Sequence, residues 1–145
     1  MKNKQRTIDD IRGFNRYYTG LLGLLDDHLL DSEYSLVEAR ILYEIHTHQP
    51  VSASQIMSEI DVDKGYLSRV LKQFEKNSLI SKQVSGEDAR VTLLALTATG
   101  KTIFNELNAA SNQQIETLIN KLTKEKQRQL VGHMDAIMTL LKGND

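Results

Sequence analysis

Between Asp63 and Arg90 the chain gathers side chains suited to holding a polyanion. Lys64, Arg69, Lys72, Lys76, Lys82 and Arg90 stand there against Glu75, Glu87 and Asp88, six cations to three acids and a net +3. Leu67, Val70, Leu71 and Phe74 recur at i, i+3, i+4 and i+7, one stripe of an amphipathic helix. The opposite side of that helix carries Gly65, Arg69, Lys72 and Lys76. Asp63 suits the N-cap, where a carboxylate accepts from orphan amides of the first turn. Gly65 costs roughly 1 kcal/mol of helix propensity against Ala, yet leaves no side chain between the backbone and a partner. Lys64, Tyr66, Ser68 and Arg69 occupy the first turns, the part of a recognition helix that meets base edges. The plainer alternative is a solvated helix whose lysines serve solubility.

The next segment narrows the choice. Ile80–Ser85 and Val91–Leu96 are two β-prone runs joined by the turn-forming Gly86-Glu87-Asp88-Ala89. Arg90 sits where the turn re-enters the strand, with Asp88 two residues away. A carboxylate there can hold the guanidinium extended, as insertion into a narrow, electronegative minor groove requires. Lys82 adds a second cation to this hairpin. The alternative is an ordinary Asp–Arg surface pair, which stabilises little.

Upstream, Ser35 opens SLVEARILYEIH with Glu38 at the third position of a capping box, and its apolar residues predict burial on more than one side. His46–Pro50 is read as the break. Ser52 then caps SASQIMSEI with Gln55 in the same relation. Asp61–Asp63 makes a three-residue turn into the basic helix, completing a helix-turn-helix unit. Ser52 and Ser54 could donate to phosphate at a helix start, or serve only as cap and exposed neighbour.

The runs YSLVEARILYEIH, DKGYLSRVLKQFEKNSLI and GEDARVTLLALTATGK together resemble the MarR family of bacterial winged-helix regulators. The likeness extends over roughly Asp10 to Leu141 and is nearest the MarR-like module sometimes fused to an acetyltransferase. Its most specific parts are Gly65-Tyr66-Leu67-Ser68-Arg69, the wing Asp88-x-Arg90, and Leu96-Thr97-x-x-Gly100. The resemblance implies that Ser54, Lys64, Tyr66, Ser68 and Arg69 face the major groove and Arg90 the minor groove. It further implies a homodimer on an inverted-repeat operator in double-stranded DNA, acting as a repressor that a small-molecule effector releases. This wing, with Lys82 and Arg90 around an acidic Glu87, is less basic than many in the family.

The expected fold is mainly α with a small β-hairpin wing. One domain over 1–145 is expected, with the winged helix-turn-helix at about 35–97 flanked by dimerisation helices at 8–30 and 98–142. In the first flanking helix Ile11, Phe14, Tyr18, Leu21, Leu22, Leu25 and Leu29 share a face. Thr97 can cap a helix running to Leu122, and Thr123 a last one carrying Leu130, Met134, Ile137, Met138 and Leu141. Such stripes call for a two-fold partner, an intrachain bundle being the alternative. Tyr17, Tyr18 and Tyr43 could line a pocket for an aromatic ligand, or simply pack.

Composition excludes several classes. The 145 residues, 40% hydrophobic and 26% charged, fit one globular domain. The absence of Cys excludes a disulfide or thiol switch. No stretch reads as a signal h-region or membrane span, so a cytoplasmic location is expected, without a membrane partner. His46 and His48 are two apart, and His28 and His133 lack ligand spacing to nearby carboxylates, so neither a metal nor a cofactor is expected. No nucleophile elbow, P-loop or Gly-rich dinucleotide turn occurs, so no enzyme activity is expected, acetyl transfer included. A net charge of −1 argues against a globally basic binder and leaves room for a second class, a winged-helix module that docks a protein and no longer binds DNA.

Overall fold

A computed structural model describes residues 2–29 and 33–143, apart from the side chains of residue 2 and residues 23–29. Among the described residues six helices and one hairpin follow in the order α1 (Lys2–Leu29), α2 (Leu36–His48), α3 (Ala53–Glu59), α4 (Lys64–Lys76), β1 (Ile80–Val84), β2 (Thr92–Leu96), α5 (Ala98–Ile119) and α6 (Lys124–Lys142). The chain divides into two compact units, Met1–Ala109 and Ala110–Asp145.

Local chemistry sets the helix starts of the first unit. Ser35 and Glu38 form a reciprocal capping box on α2, and Ser52 and Gln55 form another on α3. The Asp63 carboxylate accepts from the Tyr66 amide at 3.0 Å and opens α4. Two differences from the sequence reading appear in α2. The helix continues to His48, so His46 is helical and stacks on Phe104 with ring centroids 4.2 Å apart. Burial covers one face, Ile41, Leu42, Glu44 and Ile45, while Val37 and Tyr43 are exposed. The N-terminal helix begins at Lys2 rather than near Ile8.

The core lies between α2, α3, α4, the hairpin and the start of α5. Phe74, Ile41, Leu42, Ile45, Ile56, Leu67 and Leu79 are its fully enclosed side chains. All four residues of the predicted α4 stripe are buried in it. The hairpin is antiparallel, pairing Ile80 with Leu96 and Val84 with Thr92. Each strand is one residue shorter than the sequence suggests, because Ser85 and Val91 join the turn: the Ser85 amide donates to the Val91 carbonyl at 2.9 Å. Val51 exchanges both backbone bonds with Leu94, at 2.9 and 2.7 Å, and Gln49 Oε1 accepts from the Leu96 amide at 2.9 Å. The α2–α3 connection is thereby sewn to the free edge of β2.

A compact knot joins the end of α4 to the start of α5. Ser78 adopts a left-handed φ of 61°, and the Leu79 amide reaches back to the Phe74 carbonyl at 2.8 Å. The Thr97 hydroxyl donates to the Ser78 carbonyl at 2.6 Å and accepts from the Gly100 amide at 3.0 Å. A Cβ at Gly100 would lie 1.9 Å from the Leu79 carbonyl oxygen, so only glycine fits this approach.

In the second unit Thr123 caps α6, accepting from the Lys126 amide at 3.2 Å. Gln127 Nε2 donates to the carbonyls of Ile119 and Leu122 and closes the preceding turn. No α6 side chain is buried within the chain. Among the described residues no helix is long and apolar enough to cross a membrane.

Candidate nucleic-acid interface

Helix α4 turns its charged side outward while its stripe anchors in the core. Lys64, Gly65, Ser68, Arg69 and Lys72 are exposed, and Tyr66 is half-buried with its ring against the core. The Arg69 guanidinium lies 6.0 Å from the Tyr66 ring centroid, a cation–π arrangement that keeps the arginine close to the helix surface. Gly65 gains a second reason for its identity here. A Cβ at this position would press to 3.1 Å on Asp63 Oδ2, the capping oxygen, so the missing side chain protects the helix start as well as baring it.

A cleft of about 280 Å³ opens between α3, α4 and the base of the wing, with Met57, Leu71 and Leu94 in its floor and Lys64, Lys72 and Lys82 among its walls. Ser54 and Ser68 also border it. Five predicted contact residues, drawn from three elements, therefore share one concavity. Ser52, Gly65, Tyr66, Arg69, Asp88 and Arg90 lie outside that lining. Ser52 is engaged in its cap: its Oγ accepts from the Gln55 amide at 3.2 Å.

In the wing, Asp88 grips Arg90 at three points. Its Oδ1 accepts from the Arg90 amide at 3.0 Å and from Nε at 3.1 Å, and its Oδ2 accepts from Nη2 at 3.2 Å. These bonds, the side-chain ones foremost, hold the Asp88 carboxyl below its ordinary pKa. The Arg90 side chain remains 90% exposed despite them, so the pair orients the guanidinium without hiding it. Ser85 Oγ accepts from the amides of Glu87 and Asp88 and stiffens the turn. Lys82 Nζ meets Glu75 Oε2 at 2.7 Å, tying β1 to α4. The sequence reading missed this tie, since the two stand seven positions apart across a chain reversal.

The tyrosines behave differently. Tyr18 stacks on Phe14 at 5.6 Å, Tyr17 is exposed, and Tyr43 tilts against Phe104 at 6.4 Å. None of the three borders the cleft between α3 and α4. His28, Leu25 and Leu29 lie outside the residues whose side chains are described, and Leu30 outside the described residues altogether.

Residues 34–92, which contain the whole helix-turn-helix and the wing through the start of β2, match the MarR family. Over that segment the chain is similar to the MarR family. Among the described residues it has the winged-helix fold of MarR-type structures, six helices with one antiparallel hairpin. Solved MarR-type structures superpose over nearly its full length. Staphylococcus aureus MarR in complex with salicylate and kanamycin is 22% identical, covers 97% of this chain and 95% of its own, and gives a TM-score of 0.78. Streptococcus pneumoniae FabT in complex with DNA is 22% identical over 91% of this chain and 97% of its own, with a TM-score of 0.77. The S. aureus MepR–DNA complex, 16% identical, covers 86% of this chain and 96% of its own at 0.76. At these identities the likeness speaks for the fold.

Proposed function

We propose that this chain is a MarR-family homodimeric repressor that binds an inverted-repeat operator. The observation that carries this is the cleft where α3, α4 and the wing bring Ser54, Lys64, Ser68, Lys72 and Lys82 together beside an exposed Arg69. In this reading the first turns of α4 enter the major groove, with Arg69 reading base edges and Lys64 and Lys72 on phosphates. Ser52 and Ser54 meet the backbone at the start of α3, and Arg90, aimed by Asp88, enters the minor groove. FabT and MepR, solved in complex with DNA, share the fold and support this use of it.

Dimer formation is supported by apolar faces that the single chain leaves uncovered. Ile11, Phe14 and Tyr17 on α1 are exposed, as are Met138, Leu140 and Leu141 on α6. Solvent contact at so many large side chains is costly, at about 25 cal/mol per Å² of apolar surface, and a second copy relieves it. Two recognition helices related by a two-fold axis would stand about one DNA turn apart, roughly 34–36 Å. The repressor action includes release by a small aromatic acid, for which the salicylate complex of S. aureus MarR is the support. Tyr17, Tyr18 and Tyr43 remain the proposed lining of that site.

A second reading, a winged-helix module that docks a protein, is favoured by one observation: both wing cations, Lys82 and Arg90, are ion-paired within the chain. Selection of bound fragments from a random duplex library separates the two. A palindromic consensus supports the operator-binding dimer, and no enrichment over input supports protein docking.

A further inference from the structure

We propose that Glu44, His48 and Glu59 form a binding site for a divalent first-row transition-metal ion. The Glu44 carboxylate is buried, with its side chain only 3% exposed. Burial of that charge is costly unless both oxygens are engaged. Arg40 satisfies Oε1, its Nε donating at 2.7 Å. Oε2 has no hydrogen-bond partner. What faces it is His48 Nε2 at 3.3 Å, one helical turn along α2. The third group arrives from another element: Glu59, the last residue of α3, brings a carboxylate oxygen so that all three ligand atoms lie within 4.8 Å of one another.

The geometry suits a cation better than it suits a paired carboxylate. Ligand atoms around an ion bound at 2.0–2.2 Å stand about 3–3.5 Å apart, the separation that Oε2 and Nε2 already have. His48 and Glu59 are exposed, so small rotations bring the third ligand in, while the buried Glu44 stays fixed. Both α2 ligands lie in the last turns of that helix, where the dipole favours positive charge. The exposed His48 and Glu59 leave the cluster open to solvent, and Glu59 also borders a cleft of about 350 Å³ with Arg40. One imidazole and two carboxylates, with water completing the shell, select a borderline ion such as Zn²⁺ over Mg²⁺, and no thiolate is present to select a soft one. An ion held there cross-links α3 to α2 and fixes the attitude of the helix that precedes α4.

The inference does not depend on the DNA-binding reading, and its test contains no DNA. The full-length chain, stripped with chelator, is titrated calorimetrically with Zn²⁺ and separately with Mg²⁺, and its thermal midpoint is followed. One Zn²⁺ per chain with a raised midpoint is expected, and no response to Mg²⁺. Glu59→Gln and His48→Asn, both at exposed positions, should each weaken Zn²⁺ binding at least about tenfold, and Glu59→Gln should unfold like the parent when no metal is present. Absence of Zn²⁺ binding, equal binding of Mg²⁺, or affinity unchanged in both variants would overturn the site, the last placing the ion on another histidine.

Discussion

Lys82 of the wing and Glu75 of α4 are ion-paired at 2.7 Å, each about half exposed. The pair fastens the hairpin to the helix whose outer face carries Arg69 and Lys72, so it fixes where the wing stands. It also spends on an internal partner a charge that a phosphate would attract. At this exposure the pair stabilises the fold little, at most about 1 kcal/mol, so its removal should leave the fold intact.

Glu75→Gln should therefore strengthen duplex binding at low salt and steepen the dependence of log affinity on log salt by up to about one unit, as Lys82 is freed for a phosphate. Fluorescence anisotropy across a salt series reads both quantities. An unchanged slope with a looser wing would mark Lys82 as a structural tie only.

Arg69→Ala should weaken specific binding by about 1–3 kcal/mol, the range for loss of a bidentate base contact. Binding to random duplex should fall far less. Arg69 has no ion-pair partner among the described residues, so the folded state should tolerate the change, which circular dichroism checks.

Arg90→Ala should flatten the salt slope by about one unit. The Asp88 carboxyl, held down by Arg90, should titrate below the ordinary value of about 3.9, as carbon-detected NMR can follow. Because its folded pKa is lowered, the pair's contribution is complete above the ordinary carboxylate range and disappears as pH falls through the lowered value. In Arg90→Ala the midpoint should return upward; a midpoint that stays low would assign the shift to the turn instead.

Gly100→Ala should destabilise the fold by about 3 kcal/mol, the upper end for forced overpacking, because the new methyl would strike the Leu79 carbonyl. Gly86→Ala, with open space around its Cβ position, should change stability by no more than about 0.5 kcal/mol. Urea unfolding of the two variants makes the comparison, and equal stabilities would contradict the knot between α4 and α5.

What the sequence made legible was local. Caps at Ser35, Ser52, Asp63, Thr97 and Thr123 depend on residues three positions apart, and all five side chains accept the expected amide. The α4 stripe and the hairpin turn are likewise short-range patterns. Long-range meetings were not legible. Glu44 and His48 stand at i, i+4, a spacing that suits shared ligation, but only the fold brings Glu59 to them. Burial of Glu44 in a helix with exposed Val37 and Tyr43 follows from which neighbours α2 has, not from its apolar count. The tight fit at Gly100 likewise depends on Leu79, twenty-one positions earlier.

Binding of duplex DNA in the cleft between α3, α4 and the wing, as one half of a two-fold pair, is what the proposed function rests on. Its most direct measurement is a stoichiometric titration of the selected duplex, by sedimentation, at low and at high salt. Two chains per duplex, with affinity falling steeply as salt rises and a scrambled duplex bound far more weakly, is the predicted result. A chain that sediments singly and leaves both duplexes unbound at low ionic strength would contradict it.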